Sequence, residues 1–269
     1  MAGFSFDLYD PHNTIAVSAL KTGLRGSAAL SRIQPSLEST LEAAFNRQCI
    51  NDWNAEQPTY VSAAKIMHRI VGTLNARIIL GEELASDPRT LDAALQYTLD
   101  GPIAAQFLRQ IPCFLHGPVS SLIIGWTGAQ RTLIKQIRRT VQERLSLPRS
   151  EDIKVQPTDC IQWIIEVEKK MEGKLLNVEE ISKRTLSLLF GAAHQAPVYC
   201  TFVLYCLAKY PEYLQPLREE ASSFPTADLY GLGGRQTPLL DSFLKETGRL
   251  FPIQASKTLS KAVKVLHIH

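Results

Sequence analysis

No two cysteines in this chain are spaced C-x-x-C, and the five present (Cys49, Cys113, Cys160, Cys200, Cys206) are scattered and odd in number. That argues against a disulfide framework and against a zinc site, and fits reduced thiols in a cytosol-facing chain. An excess of one charge is also missing. Lys plus Arg total 29 and Asp plus Glu 26, and the net +3 is too small for the electrostatic footprint of a nucleic-acid binder. The opening stretch MAGFSFDLYDPHNT has no basic region followed by an apolar run, so neither a secretory leader nor an amino-terminal anchor is visible in it. There is no N-x-S/T sequon, no internal repeat, no low-complexity tract and no Gly/Ser linker long enough to separate domains. What is present is ordinary globular usage, 45% hydrophobic and 20% charged, so disorder does not dominate. The expectation is one domain over residues 1–269.

The apolar periodicity is helical nearly throughout. Leu37, Leu41, Ala44 and Phe45 form a stripe after Pro35-Ser36, which reads as a helix start. Ile66, Ile70, Leu74 and Ile78 form a second stripe that stops at Gly81. Asp87-Pro88 sets an N-cap ahead of a first-turn proline, opening a helix through Leu91, Leu95 and Leu99 that Gly101-Pro102 is expected to end. A short helix to Ile111-Pro112 follows, then helices over Val119–Leu145 and Cys160–Met171. The pair Asn177 and Glu180 has capping-box spacing, and the helix it opens reaches Lys209, on the order of 45 Å at 1.5 Å per residue. Helices over Pro211–Ala221 and Pro238–Leu250 complete the series. Only the tail, Val263 to His269, and a short run near Thr258 read as strand. The fold class is therefore mostly α.

From Leu186 to Ala208 there is no formally charged residue. Length and composition satisfy the rule for a membrane span, and equally describe a helix buried on all sides. His194, Gln195 and Pro197 at the centre favour burial, because polar groups and a broken ladder are worst tolerated facing lipid. Pro197 has no N–H and its ring crowds the carbonyl of Ala193, so the helix should be distorted over residues 193–197. Two readings stay open there: a kink with its polar groups satisfied locally, and a turn opened for a ligand. A basic cluster (Arg131, Lys135, Arg138, Arg139, Arg144) reads either as a solvated helix face or as a dock for an acidic redox partner or anionic membrane.

Gly191-Ala192-Ala193-His194-Gln195-Ala196 lies in register with the pattern [A/G]-G-x-[D/E]-T-[T/S], Glu246-Thr247-Gly248-Arg249 matches E-x-x-R, and ILGEELASDPRTLDAA at 79–94 matches a G-x-x-L-x-x-[ND]-P turn. In this order and spacing they resemble the central part of a cytochrome P-450, of the type found in fungal specialised metabolism. The resemblance implies a mostly α portion of that fold and a haem iron cofactor. It also implies, in complete relatives, an O2-dependent oxidoreductase: a monooxygenase fed by a flavin reductase that oxidises apolar small molecules of secondary metabolism at the cytosolic face of the endoplasmic reticulum. Gly191 and Ala192 would face haem. His194 and Gln195 would stand at the oxygen groove, replacing the family's acid and threonine, which puts the usual proton delivery in doubt. Glu246 and Arg249 would form a scaffold pair, although any Glu and Arg three apart on a helix can pair in solvent. Thr14 to Phe45 is similar to the helix near the haem propionates; the family's usual Trp and Arg are not evident there, and His12 or Lys21 could serve.

The family's haem hangs on a cysteine in F-x-x-G-x-R-x-C-x-G, beyond the E-x-x-R helix. All five cysteines here precede Glu246 and none has that setting; Gly231-Leu232-Gly233-Gly234-Arg235 has no following cysteine and reads as a loop. The expectation is a truncated, inactive homologue that binds no haem stably, carries no membrane anchor and is cytoplasmic as given. Two alternatives stand beside it: a non-catalytic helical interaction module, and a single-span membrane protein through residues 186–208.

Overall fold

Helix-forming stripes and proper caps account for most of the architecture. The computed structural model describes residues 14–24, 27–49, 62–119, 122, 128–146, 157–170, 177–223 and 237–252. Its helices are α1 (Thr14–Gly23), α2 (Ser27–Cys49), α3 (Ala63–Ser86), α4 (Pro88–Leu108), α5 (Ala129–Ser146), α6 (Cys160–Lys170), α7 (Val178–Lys209), α8 (Leu214–Ser222) and α9 (Pro238–Leu250), with 3-10 turns at Cys113–Leu115 and Pro211–Tyr213. No strand occurs among the described residues. The expected strands near Thr258 and over 263–269, the loop at 231–235 and His12 lie outside them.

Contacts divide the chain into two compact units, residues 1–194 and 195–269, the boundary falling within α7. In the first unit α1 packs on α6, α2 and α6 pack on α3, and α4 packs on both α3 and α5. Their apolar faces converge on a core that includes Leu80, Leu133, Ile137, Ile161, Ile164, Ile181 and Leu189. In the second unit α9 packs on α8. The Glu220 carboxylate at the end of α8 accepts the first N–H groups of α9, from Leu239 at 2.9 Å and Leu240 at 2.8 Å. Those donors have no partner within their own helix, and an acid at a helix N-terminus also suits its dipole.

Asp87 caps α4 as its sequence setting predicts, accepting from Thr90 N–H at 3.1 Å and from the Thr90 hydroxyl at 2.6 Å. Gly81 breaks α3 with φ 84°, a conformation that favours glycine. Three expected boundaries are corrected. Helix α2 begins at Ser27 and runs through Pro35. An interior proline disfavours a helix by roughly 3 kcal/mol, so tertiary contacts must offset it, and Ile33 in the preceding turn is buried in the core. Helix α4 continues past Gly101 to Leu108. Gly101 serves close packing: a Cβ there would collide with the Phe190 ring of α7. The helix expected over Val119–Leu145 is interrupted: Val119 and Leu122 are helical, Gly128 is not, with φ 67°, and α5 starts at Ala129.

Candidate functional site

The residues singled out by sequence lie on α7 and α9. Helix α7 starts where Asn177 accepts the Glu179 N–H at 2.9 Å; Glu180, the other half of the predicted capping box, accepts from Arg184 at 2.9 Å. Arg184 also bonds Glu168 of α6, a side chain almost wholly shielded from water. Ser182 and Thr185 are buried too, and each donates back to the carbonyl four residues earlier. A buried hydroxyl satisfied within its own helix lets polar residues sit in an apolar core.

The turn matched to the oxygen-groove pattern comes next. Gly191 is exposed, Ala192 half-buried, and Gln195 and Ala196 exposed; the His194 backbone is helical, and its side chain lies outside the described residues. Helix α7 continues through Pro197, whose carbonyl accepts from the Thr201 hydroxyl at 2.8 Å. Within this turn the Ala192 carbonyl accepts from Asn75 Nδ2 of α3 at 3.0 Å, a partner 117 residues away. Of the two readings left open, local satisfaction and a ligand, the geometry supplies a third: a carbonyl held by a distant side chain. Nothing in the sequence near Asn75 signals it, since the contact exists only once α3 lies against α7.

On α9 the structure brings Glu246 and Arg249 together. Arg249 donates twice, Nε to Oε2 at 2.8 Å and Nη2 to Oε1 at 2.6 Å. Arg249 holds the Glu246 carboxyl below the usual carboxylate range, and Glu246 raises the guanidinium in return. Both side chains are well exposed. The Tyr199 hydroxyl of α7 donates to the Leu244 carbonyl, tying this helix to the second part of α7.

The basic cluster on α5 comes apart. Arg144 turns inward and bonds Asp159 through two donors at 2.7 Å, Arg138 pairs with Glu179 and Arg139 with Glu143. Only Arg131 and Lys135 keep no ion pair among the described residues, which favours the solvated-face reading. The Arg144–Asp159 fork was invisible to sequence reasoning, yet Asp159 also accepts the Gln162 N–H at 2.9 Å and so starts α6.

A cysteine can ligate haem iron only as an ionised thiol with an open side. Cys160 is 0% exposed, and burial with the neighbouring Asp159 charge pushes its thiol far up. Burial raises the Cys200 thiol as well, and Cys206 is buried. These three do not fit the role; the side chains of Cys49 and Cys113 lie outside the described residues. Among the described residues no group of three or more His, Cys, Asp or Glu is placed to hold a metal ion.

Comparison with known proteins decides the family. The family profile described as cytochrome P450 matches residues 32–268. This chain belongs to the cytochrome P450 family. It is 28% identical over 236 residues to the cytochrome P450 monooxygenase olcJ of Penicillium canescens, covering 83% of this chain and 42% of that protein. Against the cytochrome P450 monooxygenase janP of Penicillium janthinellum it is 27% identical over 241 residues, 85% of this chain and 45% of the relative. Against the ent-kaurene oxidase P450-4 of Gibberella fujikuroi it is 25% identical over 249 residues, 87% and 47% respectively. The chain thus spans under half the length of these cytochrome P450 relatives. The mostly helical fold and the fungal character of the resemblance both agree with these matches.

Proposed function

We propose that residues 1–269 are a partial cytochrome P450 domain, supplying the central helices of a fungal haem-thiolate monooxygenase fold, and that these residues alone hold no haem through sulfur and perform no oxidation. The observation that carries this is the setting of the thiols. None of the five cysteines lies in F-x-x-G-x-R-x-C-x-G, and Cys160, Cys200 and Cys206 are shielded or uncharged where they stand.

Haem, where a thiolate holds it, supplies O2 activation for the family. The proposed activity of a whole protein built on these helices is reductase-fed oxidation of an apolar natural product in fungal specialised metabolism, at the cytosolic face of the endoplasmic reticulum. Support comes from the fungal monooxygenases among the relatives. In that setting Gly191 and Ala192 are the small positions beside the cofactor, His194 and Gln195 stand at the oxygen groove, and Glu246 with Arg249 is the scaffold pair.

The test is spectroscopic. The 269-residue chain, expressed with haem precursor and reduced under CO, is expected to show no thiolate-type Soret band. A stable band of that type would mean that one of the five cysteines has been recruited. Reading the transcript downstream of His269 in all three frames for the cysteine motif tests the monooxygenase assignment itself.

A second reading, a helical interaction module, draws on the exposed Val198, Leu204 and Tyr205 of the second unit. The membrane-span reading is weakened by Leu186, Leu188 and Leu189, which are buried in the core of the first unit. Sedimentation with membranes after alkaline wash would restore it.

A further inference from the structure

A groove of about 400 Å³ lies between α2, α3 and α4, within the first unit, and is lined by none of the candidate site residues. Its α3 wall presents Arg69, Thr73 and Arg77, spaced four residues apart and so on one helical face. The α2 wall is made of small side chains, which keep the groove open, and ends at Arg47; α4 supplies Leu91 and Leu95.

The charges here are unevenly committed. Arg77 is largely shielded, donating from Nε to the Ser36 hydroxyl at 2.7 Å and from Nη2 to Glu82. Arg47 and Arg69 have neither a hydrogen bond nor an ion pair from their side chains among the described residues. Of the two lining carboxylates, Glu82 is neutralised by Arg77, so only Asp92 opposes a bound anion. Unpaired arginines on a convex helix face are ordinary solvated groups. Both the Arg47 and Arg69 side chains are exposed, but in a concave site lined by several arginines their field is focused on the cavity. The volume lies within the roughly 300–1,000 Å³ usual for small-molecule sites.

We propose that this groove binds an organic anion, a carboxylate or phosphate ester with a short apolar chain. The head sits on Arg47 and Arg69, and the chain lies along Leu91 and Leu95. The guanidinium fork suits both head groups, and the apolar wall is what an inorganic anion would leave unused.

Calorimetry and arginine Nε–H NMR on the 269-residue chain test this without reference to haem, so its failure and that of the monooxygenase reading are separate. The probes are octanoate, octyl phosphate, inorganic phosphate and octanol, all below micelle-forming concentration. Saturable binding at one site is expected for octanoate, octyl phosphate or both, which separates the two head groups. Inorganic phosphate and octanol should each bind at least about tenfold more weakly. Arg47→Gln and Arg69→Gln should each weaken the amphiphile by about tenfold, whereas Arg131→Gln on α5 should leave it unchanged. Asp92→Asn should tighten it, a gain that cannot arise from misfolding. Absence of saturable binding, equal sensitivity to Arg131→Gln, or no response to either groove arginine would overturn the proposal.

Discussion

Helix α7 carries no formal charge from Leu186 to Ala208, yet its two parts have different surroundings. Before the unit boundary, Ile181, Leu186, Leu188 and Leu189 are sealed into a core shared with α3, α5 and α6. Beyond it, Val198 is 43% exposed, Leu204 39% and Tyr205 61%. The second part is held by aromatic contacts, Phe202 stacked on Phe251 at 4.5 Å between ring centroids, rather than by enclosure. The shielded ion pairs, Arg144–Asp159 and Arg184–Glu168, belong to the first unit, which also carries exposed ones such as Arg139–Glu143; Glu246–Arg249 and Lys245–Asp241 in the second stand largely in solvent. Composition sets how much apolar surface a helix offers; its neighbours decide how much leaves water, and that removal is what stabilises.

The largest expected effect tests the shielded pair. Arg144→Met strands the Asp159 carboxylate in a site where it is 3% exposed, and should destabilise the first unit by about 3–5 kcal/mol in urea denaturation followed by circular dichroism. A loss near zero would mean that Asp159 finds another partner and that shielding does not distinguish the two units. Next comes packing along α7 itself. Leu189→Ala should cost about 2–5 kcal/mol through lost burial and a residual cavity, and Leu204→Ala no more than about 0.5. Equal costs would erase the contrast between the two parts of the helix.

A smaller effect belongs to the turn near the boundary. Asn75→Leu removes the donor to the Ala192 carbonyl and should cost about 1 kcal/mol, with faster amide hydrogen exchange at Ala196 than in the parent chain. Unchanged exchange would show that the turn holds its shape without α3. The smallest effect tests the exposed pair. Arg249→Met should leave the denaturation midpoint unmoved while the Glu246 carboxyl, followed by NMR, titrates higher, back in the ordinary range. The sign follows from its lowered folded value: whatever stability the pair adds is present above the ordinary glutamate range and is lost as pH falls through that lowered value. A Glu246 titration identical in the variant would show that Arg249 is not what holds it down.

Helix existence was readable from residues three and four apart, because that spacing is a property of the chain alone. The series from the stripe at Ile66 to the helix at Pro238 follows from it, as do the Asp87 cap and the break at Gly81. Breakers were less transparent. Pro35 read as a helix start and Gly101 as a helix end, and both sit inside helices, because Ile33 is buried upstream and Phe190 fills the space beside Gly101. The basic cluster on α5 left two readings open for a related reason, since sequence shows where charges lie along a helix but not which partners turn toward them. For the candidate site, motif order proposed Gly191, Ala192, His194 and Gln195, and Glu246 with Arg249. It could not reach Asn75.

By itself the sequence determined the helical class, the places where helices begin under a cap, the family, and the absence of a cysteine in the haem-binding pattern. All of these rest on residue identity or short-range spacing. Tertiary structure alone decided which half of α7 is enclosed, that Arg144 turns to Asp159 and Arg184 to Glu168, that Glu220 starts α9, and that Arg47 and Arg69 share a groove with two leucines. Each of those depends on helices meeting across many residues of chain, and a contact made by packing has no counterpart in the local order of side chains.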